Sequence, residues 1–152
     1  MEFLERAKKL LYEEQATCVI VLEGEVILSK ERGIRPVLEQ LELAPEKLKG
    51  ASVADKVIGK FAALLFTYAG IQEIYSEIIS EYAISVFQKH GISCSYGKRV
   101  PYIINREGNG MCPMEQAVLE TEVPEIAYSI LVNKQRLTDA PLQELQSDSC
   151  SI

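Results

Sequence analysis

Apolar residues recur along the chain with two different periods, and these periods place most of the elements. Phe3, Ala7, Leu10 and Leu11 fall at i, i+4, i+7 and i+8, which predicts an amphipathic helix over residues 2–14. The run Thr17-Cys18-Val19-Ile20-Val21-Leu22 reads as a buried strand. Glu23-Gly24 punctuates it, and Glu25-Val26-Ile27-Leu28-Ser29 completes a β-hairpin. Pro36 suits the first turn of a short helix reaching about Leu41, and Leu43 to Gly50 reads as a connector. The strongest helical period covers Ser52 to Tyr68. There Val57, Phe61, Leu64, Leu65 and Tyr68 form one face, Ile58 and Ala62 widen it, and Gly70 stops it. A short strand fits Gln72 to Ser76. Ser80 caps a further helix with Ala83, Ile84 and Phe87 inward and Gly91 as its stop. Ile92 to Ser95 and Val100 to Ile104 read as strands, and Arg106 to Gly110 as a turn cluster. Cys112-Pro113-Met114-Glu115 opens a helix through about Glu120, and Pro124 opens a last one carrying Ile126, Ala127, Ile130 and Leu131.

Strands alternating with helices predict an α/β protein, a three-layer α/β/α sandwich with a mixed sheet. The length of 152 residues fits one domain, residues 1–136, followed by a polar tail over 137–152. The formal net charge of −6 argues against a general electrostatic grip on nucleic acid, which needs a basic face. No apolar run approaches the roughly 18–20 residues that span a bilayer, and the charged start Met1-Glu2-Phe3-Leu4-Glu5-Arg6 is unlike a signal peptide. The expectation is a cytoplasmic protein with no membrane partner. Cys18, Cys94, Cys112 and Cys150 include no C-x-x-C pair and read as free thiols. The lone histidine, His90, sits where a helix ends, so a cap is the default reading.

Three clusters carry candidate chemistry. Cys112 precedes Pro113 at a helix start with Glu115 three residues on, in capping-box spacing. A helix N-terminus stabilises a thiolate, so Cys112 reads as a nucleophile, a redox-sensitive thiol or the wall of an anion site. The structural alternative is a small buried residue at a turn. Asp55, Lys56 and Lys60 form the second cluster. Asp55 would orient a ligand or accept a proton, and either lysine would hold an anion. The alternatives are a capping box from Ser52 to Asp55 and a solvated lysine face. Gly59 inside a strong helix costs roughly 1 kcal/mol relative to alanine and implies close packing or close approach of a ligand. The third cluster is the turn from Asn105 to Gly110, whose backbone N–H groups could face a ligand or simply reverse the chain.

The segments Ala54-Asp55-Lys56-Val57-Ile58-Gly59-Lys60, Pro101-Tyr102-Ile103-Ile104-Asn105-Arg106 and Gly110-Met111-Cys112-Pro113-Met114-Glu115 resemble a bacterial and archaeal family of unknown function. The resemblance covers roughly residues 10–132. It implies a cytidine-deaminase-like fold, a pocket bordered by the helix start near Asp55, and association into homo-oligomers. Zinc deaminases use a His-x-Glu and a Pro-Cys-x-x-Cys at two helix starts. Neither motif occurs in this sequence, so neither zinc nor another cofactor is expected. Two functional readings stay open. One is a deaminase-like protein binding a small, nucleotide-like ligand with Cys112 and Asp55 as reactive groups and Lys56, Lys60, Gly59, Asn105, Gly110 and Glu115 around them. The other is a non-catalytic assembly or interaction module that kept the fold and lost the chemistry. The first reading places Asp55 and Cys112 at one sheet edge, around one concave pocket.

Overall fold

The computed structural model describes residues 2–31, 37, 40–41, 43–44, 46–105 and 107–130. The first helix, α1, spans Glu2–Glu13, and the hairpin follows as β1 (Cys18–Leu22) and β2 (Glu25–Ser29). Val37, Gln40, Leu41 and Leu43 are helical. The rest of the short helix expected after Pro36 lies outside the described residues, as does the tail over 137–152. Next come β3 (Ser52–Ile58), α2 (Lys60–Ala69), β4 (Glu73–Ser80), α3 (Glu81–Lys89), β5 (Ser93–Val100) and the short α4 (Pro113–Ala117). Residues 124–130 are helical, where Pro124 was expected to open the last helix.

The largest departure from the sequence reading is at residues 52–58, which form a strand and not the first half of a helix. Apolar residues at 53, 54, 57 and 58 fit a helical stripe. They fit equally a central strand covered on both faces, which loses the alternation of a half-exposed one. Successive side chains point to opposite faces. Val53 belongs to the larger apolar cluster with Phe61, Leu64, Leu65 and Phe87, whereas Ala54 packs with Ala7, Leu11, Val19 and Val21 under α1. The proposed Ser52–Asp55 capping box therefore does not form. Ser52 Oγ donates to Glu73 Oε2 at 2.6 Å across β3 and β4. The N-cap of α2 is Gly59, with an extended backbone at φ −100° and ψ −176°.

The remaining boundaries shift less. β4 and β5 each run to eight residues, longer than the short strands expected, and Val100 to Ile104 is not a strand of its own. Ile104 makes only an isolated bridge with Met111. The helix after Cys112 stops at Ala117. Ser80 caps α3 as expected, accepting from the Ala83 N–H at 3.1 Å. His90 is the C-cap of the same helix.

The sheet is mixed and five-stranded, in the order β2-β1-β3-β4-β5. β1 pairs antiparallel with β2 and β3, while β3, β4 and β5 run parallel. Parallel neighbours need a crossover, and α2 and α3 supply the two. Because β3 and β4 are parallel and adjacent, their carboxyl ends at Ile58 and Ser80 lie side by side, with Ile58 near Ile79 in register. Each end runs straight into a helix start, so two sets of unpaired N–H groups open at the same edge of the sheet.

Candidate functional site

The carboxyl ends of β3 and β4 converge on one side chain, Glu115. It is only 1% exposed. Its Oε2 accepts from the backbone N–H of Lys60 at 2.7 Å and from the Ser80 hydroxyl at 2.6 Å. Its Oε1 accepts from the Ile103 N–H at 2.6 Å. The Lys60 N–H is an orphan donor of the first turn of α2, and Ser80 is the cap of α3, so one carboxylate ties together two helix starts and the loop after β5. A negative charge also complements the positive ends of both helices.

The glycine at 59 belongs to this arrangement. Its φ is ordinary, so backbone freedom is not the reason for it. A Cβ there would lie 3.1 Å from Glu115 Oε2 and 3.1 Å from Ile103 Cγ1. Glycine is what lets the carboxylate reach the Lys60 N–H. The Lys60 side chain turns away from the carboxylate. It is itself buried, at 2% exposure, and its Nζ donates to the Leu119 carbonyl at 2.8 Å and pairs with Glu122 Oε1 at 3.2 Å. Glu122 also reaches Lys89 of α3 at 3.2 Å. Residues 103–105 and 107–122 thus form a strap laid across the ends of β3 and β4 and fastened by Glu115 and Lys60. The Cys112 N–H, bonded to the Ile103 carbonyl at 2.8 Å, closes it on itself.

A second polar group lies within the sheet. Cys18, Asp55 and Ser76 occupy successive cross-strand positions on β1, β3 and β4. Asp55 is 8% exposed. Burial raises its carboxyl pKa to about 7, with the Val57 and Lys56 N–H groups and the Cys18 thiol pulling it back only in part. Burial likewise pushes the Cys18 thiol well up, and the neighbouring Asp55 adds to that. Asp55 Oδ1 accepts from the Val57 N–H at 3.3 Å, and Ser76 Oγ donates to the Ile78 carbonyl, so each side chain binds the backbone two residues on along its own strand.

Gly59, the Lys60 backbone N–H and Glu115 meet in this cluster, while the Lys60 ammonium does not. Asp55 and Lys56 are not part of that cluster. They lie in mid-strand, and neither stands at a helix N-terminus, so the argument that placed Asp55 beside Cys112 loses its premise. Lys56 is exposed, and its N–H bonds the Thr17 carbonyl at 3.0 Å. Cys112 is the N-cap of α4, as its place before Pro113 suggests, but it makes no side-chain cap bond. It is also disulfide-bonded, whereas Cys18 and Cys94 are free; the expectation of free thiols holds only for those two of these three. Glu115 does not close a capping box with Cys112. Its carboxylate is taken by partners far away in sequence. Asn105 and Gly110 face each other in the exposed turn, where the Asn105 N–H bonds the Gly110 carbonyl at 2.9 Å. Asn105 Oδ1 accepts from the Gly108 N–H at 2.8 Å and the Asn109 N–H at 3.2 Å, so these donors are bonded within the turn. Ser80 and Ile103 are members that the sequence does not disclose. The spacing of Ser80 reveals only its cap, and a backbone N–H leaves no mark in sequence.

Among the described residues no group of three or more His, Cys, Asp or Glu is placed to hold a metal ion. The helix starts at the two strand ends read Gly59-Lys60-Phe61-Ala62 and Ser80-Glu81-Tyr82-Ala83, without a His-x-Glu or a cysteine pair. No described helix is long and apolar enough to cross a membrane.

Fold and site together define an α/β protein with a mixed five-stranded sheet and a buried carboxylate at the ends of its parallel strands. The chain belongs to the family described as Domain of unknown function (DUF1893), whose model matches residues 6–135. It is similar to TM1506, a DUF1893 family protein of Thermotoga maritima with a crystal structure. The two are 30% identical over 88% of this chain and 90% of that one, with a TM-score of 0.79. No curated protein matches the chain.

Proposed function

We propose that this protein is a deaminase-like module without catalysis, in which the position a ligand would take is filled by its own Glu115. The observation that carries this reading is the set of three donors on one buried carboxylate. In open α/β sheets ligands gather at the carboxyl ends of the strands, where helix N-termini present N–H groups. Here Glu115 occupies that place from within, taking the Lys60 N–H of one helix start, the Ser80 hydroxyl at the other and the Ile103 N–H between them. The strand order, with an antiparallel hairpin beside three parallel strands, supports the deaminase-like assignment. The helix starts lack the side chains that would bind zinc there, and fold alone assigns no reaction. The assembly role and the homo-oligomer expected from the resemblance form part of the same reading.

The test is Glu115→Ala, with Glu115→Gln as the variant that preserves volume. Removing the carboxylate strands two backbone N–H groups and a hydroxyl, at a cost on the order of 3–5 kcal/mol. Glu115→Ala should melt far below the parent and regain part of the loss in formate or acetate, small anions that can take the vacated place. The parent should show no such response. The proposal fails if the folded alanine variant is indifferent to carboxylates. It also fails if the parent is stabilised saturably by a nucleoside or nucleotide, since a ligand that binds only the native state must raise its stability.

A further inference from the structure

The sheet ends on a strand that is poorly covered. Among the described residues no strand pairs with the outer side of β5, and its residues 95–99 are exposed in sequence order, on both faces. An open edge of eight residues presents a row of backbone donors and acceptors to any extended chain. The edge is chemically one-sided. Ser93–Val100 contains Lys98 and Arg99 and no acidic residue, in a protein of net charge −6. Arg99 makes only a loose pair with Glu81 at 3.6 Å, and both are more than half exposed. Tyrosines flank the cations. Tyr96 in the strand is 41% exposed, Tyr102 just beyond it 38%, and Tyr82, next to Glu81, 38%.

We infer that the outer edge of β5 receives an extended acidic peptide segment of a partner protein as a sixth strand. Main-chain hydrogen bonds would hold the segment, and its alternating side chains would meet Lys98 on one face and Arg99 on the other. Charge selects this occupant over a second copy of the chain, because two β5 edges laid together would bring four cations close, with only the loosely paired Glu81 of each copy to offset them. Lysine on an edge strand is also a common guard against aggregation. A guard needs no exposed tyrosines beside it, whereas a docking strip gains contact area from them at low entropic cost.

The experiment measures fluorescence anisotropy of a labelled peptide of about eight residues, in which adjacent glutamate pairs, one side chain for each face, are separated by valine and tyrosine, added to the intact protein. A lysine counterpart and a version N-methylated along one edge are the controls. The acidic peptide should bind saturably. It should bind about tenfold more tightly than the lysine peptide, and the double variant K98E/R99E should reverse that preference. N-methylation should abolish binding. Both substituted side chains are exposed, and an unchanged melting temperature of the variant verifies the fold. Absence of saturable binding up to millimolar peptide overturns the inference. Equal binding of the N-methylated peptide reduces the edge to a charged patch and overturns strand addition. A dimer of the parent that dissociates in K98E/R99E would make a second copy the occupant and overturn the acidic partner.

Discussion

Replacing Asp55 by asparagine should change how stability depends on pH more than it changes stability at acid pH. The carboxyl of Asp55 lies in the sheet between Cys18 of β1 and Ser76 of β4 and is raised to about 7 by burial. In the unfolded chain it titrates near 4. The folded value is the higher one, so the folded state holds the proton more tightly. The associated stability is fully present below about pH 4 and is lost as pH rises through about 7. Raising a carboxyl from 3.8 to about 7 corresponds to about 4 kcal/mol between those limits. Above pH 7 the parent must keep an ionised carboxylate among Cys18, Ser76 and the apolar residues of the larger cluster, with two backbone N–H groups and a thiol as its compensation. Asp55→Asn keeps the shape and an acceptor for the Val57 N–H but cannot ionise. Urea denaturation from pH 4 to pH 8.5, with both proteins in the same buffers, measures the difference directly. The parent should lose up to about 4 kcal/mol relative to the variant across that range, most of it between pH 4 and pH 7. A constant difference at all pH values would refute the buried, proton-holding carboxyl. A difference that grows in the opposite sense would mean that the folded site prefers the charged form.

Gly59→Ala should destabilise by roughly 1–3 kcal/mol by overpacking, because its Cβ would press on Glu115 Oε2 and Ile103 Cγ1; combined with Glu115→Ala it should cost much less, and a double-mutant cycle by denaturation checks this. Lys60→Met should cost less than Lys60→Ala, since the stem is buried and methionine retains most of its contacts; equal losses would place the whole effect in the Leu119 and Glu122 bonds. Purified protein should carry no stoichiometric zinc, and elemental analysis showing about one zinc per chain, lost with stability in a chelator, would overturn the absence of a metal role.

The parts of the fold legible in sequence are those where one local rule decides. The α1 stripe, the Glu23-Gly24 hairpin and the Ser80 cap each rest on residues within a few positions of one another, and each appears where the pattern puts it. Residues 52–58 read as helix in sequence, yet form a strand, for a physical reason. A central strand buried on both faces has no period of its own, and its apolar positions merged with the true helical stripe that begins at Lys60. Gly59 marked the boundary. A glycine that looked anomalous inside a helix is ordinary as its N-cap. β5 reads as shorter than it is because it is an edge strand rich in polar residues, and polarity alone reads as loop.

The site shows the same division between local and non-local information. The spacing of Glu115 from Cys112 reads as a local cap. Its partners are Lys60, Ser80 and Ile103, none closer than 12 residues. Such a constellation has no spacing signature, because it arises only when parallel strands β3 and β4 bring their ends together and the chain after β5 returns over them. One consequence follows for any reaction ascribed to this edge of the sheet. A carboxylate whose oxygens already accept three hydrogen bonds has little capacity left to orient a water, and releasing it would leave the Lys60 N–H, the Ser80 hydroxyl and the Ile103 N–H without their acceptor at once. On the reading proposed above, chemistry at the ends of β3 and β4 would require the strap that carries Glu115 to lift. The energy holding Glu115 in place is the barrier that any ligand would first have to replace with contacts of its own.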